Sequence, residues 1–282
     1  AAARRVELVG LKITYANRPP NALYTAASAV DVPGELELRN VEVLGSDAPV
    51  KAQTVKVIDS RFAFNSGVVI RASTLRMSGA KVVFEDNTGA PFSLHEASEV
   101  GTADIASVEF LRNGDHSTWA GTLRIVDSVF IGNRTTGDGG ALHVAGNLTI
   151  EGSRFHSNHA AGSGGALFAR AGRITLRRSE FGENSAAVGG GAASFVRSAE
   201  DRVPLQVEIR YSNFQRNSAA AGGAISVAAS PTDKLVIRAA VINANTARGA
   251  TDVPGSGGGL SLGGGVRGDL RRVLLLDNVA TA

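Results

Sequence analysis

The segment "NGDHSTWAG" (113–121) holds Asp115, His116 and Trp119, the only tryptophan among 282 residues, and "SLHEAS" (93–98) sets His95 and Glu96 about one repeat earlier. A carboxylate, imidazoles that titrate near neutral pH and a flat aromatic ring can bind a sugar or move a proton on it. The same residues also suit a polar corner whose irregular backbone Trp119 covers. His95, Asp115, His116 and Trp119 are therefore expected as a candidate ligand corner, with no residue assigned to catalysis.

A second pattern is basic. Arg177, Arg210, Arg238 and Arg271 each stand four places before an apolar residue that recurs along the chain, with Arg178 and Arg272 beside two of them. Guanidinium groups stacked one strand apart, about 4.8 Å, repel by about 0.9 kcal/mol per neighbouring pair even at water's dielectric. A scaffold has little use for such a column, whereas a stripe that takes an anion needs it. Two readings follow. The arginines are splayed on the surface with their stems covering apolar wall, or they form a stripe for acidic polysaccharide or a partner's acidic surface. Nucleic acid is not expected, because no aromatic residues interleave with the arginines.

Acidic and metal-binding patterns are sparser. Only Glu7 and Glu37 form an acidic pair at matching positions of adjacent repeats, and a solvated face near a frayed end is expected there rather than an acid–base pair. His156 and His159 share "FHSNH" without an evident third ligand, and "GGGVRGD" (263–269) occurs once rather than in tandem. The stretch "TTGDGGALH" lacks the Gly-Lys-Ser/Thr ending of a phosphate loop. No metal or cofactor is expected.

What must position these residues is a repeat. Phe62–Asn65, Phe84–Asn87, Phe110–Asn113, Phe130–Asn133, Phe155–Asn158, Phe181–Asn184 and Phe214–Asn217 all read Phe-x-x-Asn, and Ile242–Asn245 and Leu275–Asn278 keep the spacing. Seven of the eleven phenylalanines thus occupy one slot. Upstream runs apolar-x-apolar-x-x-Ser-x-Phe, as in "VKVIDSRF" (55–62) and "LRIVDSVF" (123–130). Weaker copies, "VELVGLKI" (6–13) and "LELRNVEV" (36–43), put Ile13 and Val43 in the Phe slot. Eleven anchors result, roughly 26 residues apart, with the register at Phe84 the least regular.

Short apolar-x-apolar runs are strand signals, and segments of helical period are missing. Three short strands are expected per unit, for example at 141–144, 148–150 and 153–155, separated by Gly- and Asn-rich corners. One such unit cannot bury its apolar face, but stacked units close a continuous core. The fold expected is all-β: a single-stranded right-handed parallel β-helix of the pectin-lyase-like kind, about eleven rungs and roughly 50 Å long. Residues 1–282 are read as one solenoid, with degenerate rungs over 1–50 and regular ones over 51–282. Phe should fill the core as a column of rings. Asn should bond to backbone and to the Asn of the next rung, and Gly-Gly-Ala should admit positive φ and a close approach of walls.

Composition agrees. Hydrophobic residues make up 43%, which argues against disorder, and there is no cysteine for a disulfide framework. The net charge is only +3, so the placement of charge matters more than its sum. No apolar run approaches the ~18 residues of a membrane-spanning helix, and "AAARRVELVG" lacks the apolar stretch of a signal peptide. No capping segment is recognisable at either end. A section of a longer solenoid is therefore expected, or ends met by neighbouring chains.

The pairing of Phe-x-x-Asn with Gly-Gly-Ala-[Ile/Leu/Val] is strict at 139–142, 164–167 and 222–225 and near at 190–193. Over roughly residues 55–278 it resembles the passenger domains of chlamydial polymorphic outer-membrane proteins, and it is similar to other secreted bacterial β-helix proteins. The resemblance implies a surface-exposed or secreted, adhesin-like passenger exported by a C-terminal membrane barrel. The expected role is accordingly a non-enzymatic cell-surface adhesin or filament scaffold. A polysaccharide lyase or glycoside hydrolase of the pectin-lyase-like fold stands as the alternative, and would need carboxylates converging on one face.

Overall fold

The structure is a computed structural model, and it describes residues 5–14, 30–47, 50–66, 68–88, 92–93, 101–114, 121–170, 172–197, 203–249 and 255–281. Among these residues there is no helix, and every strand pairs in parallel with its counterpart one turn away. The chain winds as a right-handed parallel β-helix of eleven rungs.

Each rung places one strand in each of two long walls. The first wall begins at Arg5–Val9 and ends at Arg267–Arg271; the second begins at Lys12–Thr14 and ends at Leu274–Leu276. All eleven anchors pair in register in the second wall, from Ile13 with Val43 and Val43 with Phe62 to Ile242 with Leu275. The irregular copy falls in line as well, with Phe84 opposite Phe62 and Phe110.

The regular rungs carry four strands rather than the three expected. After Phe-x-x-Asn comes a two-residue strand, such as Arg134–Thr135 or His159–Ala160, and after Gly-Gly-Ala a four-residue one, such as Leu142–Ala145. The extra strand is too short to leave an alternating pattern, so its pairing is set by the stacked corner before it. In the earlier rungs the last piece fuses with the first wall into longer strands, Val30–Arg39, Val50–Ile58 and Ile70–Ser78.

The core lies between the walls. Phe62, Phe84, Phe110, Phe130, Phe155, Phe181 and Phe214 stack with ring centroids 4.5 to 5.1 Å apart and planes within 15°. Inward residues of the first wall, such as Ile125, Ile150, Leu176, Ile209 and Ile237, complete it and are fully buried. Each such side chain removed from water contributes roughly 1.5–3 kcal/mol.

Polar ladders close the corners. The Asn133 Nδ2 donates to Asn158 Oδ1 at 2.9 Å and to the Phe110 carbonyl at 3.0 Å, and the same bonds recur from Asn87 to Asn245. The serine of Ser-x-Phe forms a second ladder. Ser153 Oγ accepts from the Ser128 backbone N–H at 3.1 Å and donates to the Glu151 carbonyl at 3.0 Å. Both ladders use buried side chains to satisfy backbone groups that a turn would orphan.

The glycine pair has two separate reasons to exist. Gly139 sits at φ +74°, where a side chain is strained. Gly140 is not in that region; a Cβ there would strike the Gly165 carbonyl of the next rung. At the last rung Leu274, Leu275, Leu276 and Val279 stand exposed.

Candidate functional site

The first wall alternates buried and outward residues, and its outward positions form three columns along the solenoid axis. On the last four rungs the sequence-predicted arginines occupy one column in register: Arg177 opposite Arg210, Arg210 opposite Arg238 and Arg238 opposite Arg271. Four residues earlier on the same strands lies a second column of Arg173, Gln206, Lys234 and Arg267. Between them run Thr175, Glu208, Val236 and Asp269.

Sequence reasoning missed the second rail, although its signal was the same: an offset of eight rather than four places before the anchors. It also missed Tyr211, which follows Arg210 directly. Tyr211 is 66% exposed at the corner beside the arginine column, and its backbone N–H donates to the Arg238 carbonyl at 3.1 Å. Arg178 and Arg272 hold equivalent corner positions on other rungs, with Arg178 bonded to the Arg210 carbonyl.

The middle carboxylates bridge the arginines in pairs. Glu208 pairs with Arg210 on its own strand and lies 4.0 Å from Arg177. Asp269 pairs with Arg271 at 2.8 Å and with Arg238 at 3.3 Å. The bond from Arg271, ahead of that from Arg238, holds the Asp269 carboxyl below the usual range despite partial burial. Arg173, Lys234 and Arg267 have no carboxylate within ion-pair distance among the described residues. Arg238 Nε is shielded from solvent and has no acceptor.

Seven cations therefore face two carboxylates over these twelve outward positions, a surplus of five on a chain whose whole net charge is +3. The equivalent positions of the first four rungs carry Arg5, Arg39, Lys56 and Arg76 against Glu7, Glu35 and Glu37, a surplus of one. The basic face is a local feature of the C-terminal rungs. An open hollow of about 170 Å³ lies in it, lined by Arg173, Gln206, Glu208, Lys234, Val236 and Arg238 among others.

The other candidates stand differently. His95, Asp115, His116 and Trp119 lie outside the described residues. Glu7 and Glu37 do pair across the first two rungs, but the expectation of a solvated face is corrected for Glu37, which is only 4% exposed. Arg5 reaches it at 2.9 Å and Arg39 at 2.5 Å. Burial alone would raise the Glu37 pKa, but the bonds from Arg39 and Arg5 outweigh it and leave the carboxyl below its ordinary value. A glycosidic general acid needs the opposite shift. Glu35 and Asp86 are likewise held low, by Lys56 and Arg112 respectively.

His156 and His159 point to different neighbours across the Asn158 corner. His156 Nε2 lies 3.6 Å from Glu183, and His159 Nδ1 is 2.9 Å from Ser185 Oγ. Among the described residues no group of three His, Cys, Asp or Glu could hold a metal ion.

Residues 127–145 match the Chlamydia polymorphic membrane protein repeat, a segment that includes Phe130, Asn133, Gly139-Gly140-Ala141 and Leu142. No curated protein and no solved structure matches the chain.

Proposed function

We propose that this chain is a surface-displayed passenger, a rigid β-helical rod that presents its outward faces to partners in adhesion or as a structural element. The observation that carries the reading is the match at 127–145. Its matched residues are the ones that build the scaffold here, as the Phe130 ring, the Asn133 ladder and the Gly139-Gly140 corner, and they recur in the rungs around it. A repeat named for membrane proteins thus describes the building unit of the chain rather than an isolated loop.

A scaffold role also accounts for the carboxylates. Among the described residues, the carboxylates with shifted pKa values, Glu35, Glu37, Asp86 and Asp269, are lowered by paired cations, which suits charge neutralisation of a wall and not proton donation to a leaving group.

The test is protease shaving of intact cells that produce the protein, followed by antibody detection of the solenoid. Loss of the signal without lysis supports display at the surface. Complete protection until the envelope is broken rejects it. Release of new reducing or unsaturated ends from polygalacturonate by the purified chain would instead establish the enzymatic alternative.

A further inference from the structure

We propose that the outward face of the last four rungs binds a linear acidic polysaccharide laid along the solenoid axis. The inference deepens the surface reading by naming the chemistry that the displayed face meets. Three observations carry it, and they ask for different parts of one ligand.

The first is the pair of cationic rails. Arg177, Arg210, Arg238 and Arg271 form one, and Arg173, Lys234 and Arg267 the other. Four residues of strand put them about 13 Å apart, and three rung spacings make each about 14 Å long. Charges repeated at a fixed spacing along a straight axis match an anionic polymer rather than a single small anion. Three of the seven cations have no carboxylate partner among the described residues.

The second is the pair of carboxylates, Glu208 and Asp269, in the column between the rails. Glu208 and Asp269 would repel the continuous phosphates of a nucleic acid that crossed the face. They accept hydrogen bonds from sugar hydroxyls, which a polysaccharide offers between its anionic groups and DNA does not. Held by Arg210 and Arg271, both carboxylates are fixed in place as acceptors.

The third is Tyr211. Its exposed ring stands at the corner flanking the arginine rail, midway along it. A pyranose presents an apolar C–H face that packs on an aromatic ring while the phenol hydroxyl stays wet. A scaffold corner gains nothing from exposing this ring, and the equivalent position one rung on is Ala239.

The purified chain would be titrated with heparin oligosaccharides and polygalacturonate oligomers as probes, with duplex DNA of matched charge and inorganic polyphosphate as comparisons. The expected result is saturable binding to at least one of the polysaccharides, weakening as salt screens the contacts. Arg177→Ser, Arg210→Ser, Arg238→Ser and Arg271→Ser combined should reduce affinity by about tenfold or more. Lys234→Ser with Arg267→Ser, which breaks no ion pair, should weaken binding as well and guards against misfolding of the first variant. Tyr211→Ala should weaken polysaccharide binding about threefold and leave polyphosphate binding unchanged.

No binding to either polysaccharide overturns the proposal, as does unchanged affinity in both cation variants. Equal or tighter binding of DNA or polyphosphate, indifferent to Tyr211→Ala, would make the face a general polyanion patch and also overturns it. The measurement is made in solution. Its failure leaves the surface-display reading intact, and failure of protease shaving leaves this one intact.

Discussion

Asn133 gives both its backbone N–H and its side-chain amide to a single oxygen, Oδ1 of Asn158, at 3.0 and 2.9 Å. Asn158 in turn donates to the Phe130 carbonyl and to Asn184 Oδ1, so one side chain joins three rungs. Asn158→Ala would orphan two buried donors of Asn133 and remove one bond from the Phe130 carbonyl. Each orphaned group costs about 1–3 kcal/mol, and with partial relaxation a loss of about 3–5 kcal/mol is expected. Equilibrium urea denaturation checks it, and a loss below about 1 kcal/mol would show that water replaces the ladder.

The ring column should behave as a packed core. Phe155 is fully buried between Phe130 at 4.6 Å and Phe181 at 4.7 Å. Phe155→Ala should cost about 3–5 kcal/mol, because rings held by the rungs on either side cannot collapse into the gap. Phe155→Leu should lose clearly less in the same denaturation series.

Backbone strain offers a stabilising change. Ala239 turns the corner after Arg238 at φ +51°, a left-handed conformation that a Cβ disfavours by roughly 1–2 kcal/mol. Ala239→Gly relieves that cost, while the added freedom of the unfolded chain takes back about 0.4–1 kcal/mol. A gain of about 0.5–1 kcal/mol is expected. Lower stability in thermal denaturation would mean that the methyl group packs usefully.

His159 predicts a pH dependence. Burial, with a smaller contribution from Arg134, lowers its pKa in the folded protein. The unfolded chain therefore takes up a proton first as pH falls. The stabilisation is complete above the unfolded value of about 6.5 and is lost as pH drops through the folded pKa. Unfolding free energies measured between neutral and mildly acidic pH should decline, and His159→Gln should flatten the decline. An unchanged slope in that variant would place the titration elsewhere.

Much of this was legible from spacing. Phe-x-x-Asn located seven anchors, its spacing with an aliphatic residue in the first slot located Ile242 and Leu275, and the apolar alternation upstream located Ile13 and Val43, because stacked positions share the same surroundings above and below. The arginine column was legible for the same reason. The second cationic rail and Tyr211 were overlooked because Gln206 interrupts the one and the other is a single residue without a repeat. The burial of Glu37 was also misread: its charge suggests solvent, and only the convergence of Arg5 and Arg39 from either side makes burial tolerable.

The sequence by itself determined the repeat, its strand register and the residues of the core, since period-two patterning and equal offsets survive without coordinates. Tertiary structure alone decided the corners and the face. Arg178, Tyr211 and Ala239 carry no local preference for positive φ, yet φ is 48°, 52° and 51° there, held by backbone bonds to the rung beyond. Whether a column of arginines is neutralised depends likewise on which carboxylates arrive two residues away on the same and neighbouring strands. Those are contacts between rungs some thirty residues apart, and only the closed turn of the helix brings them together.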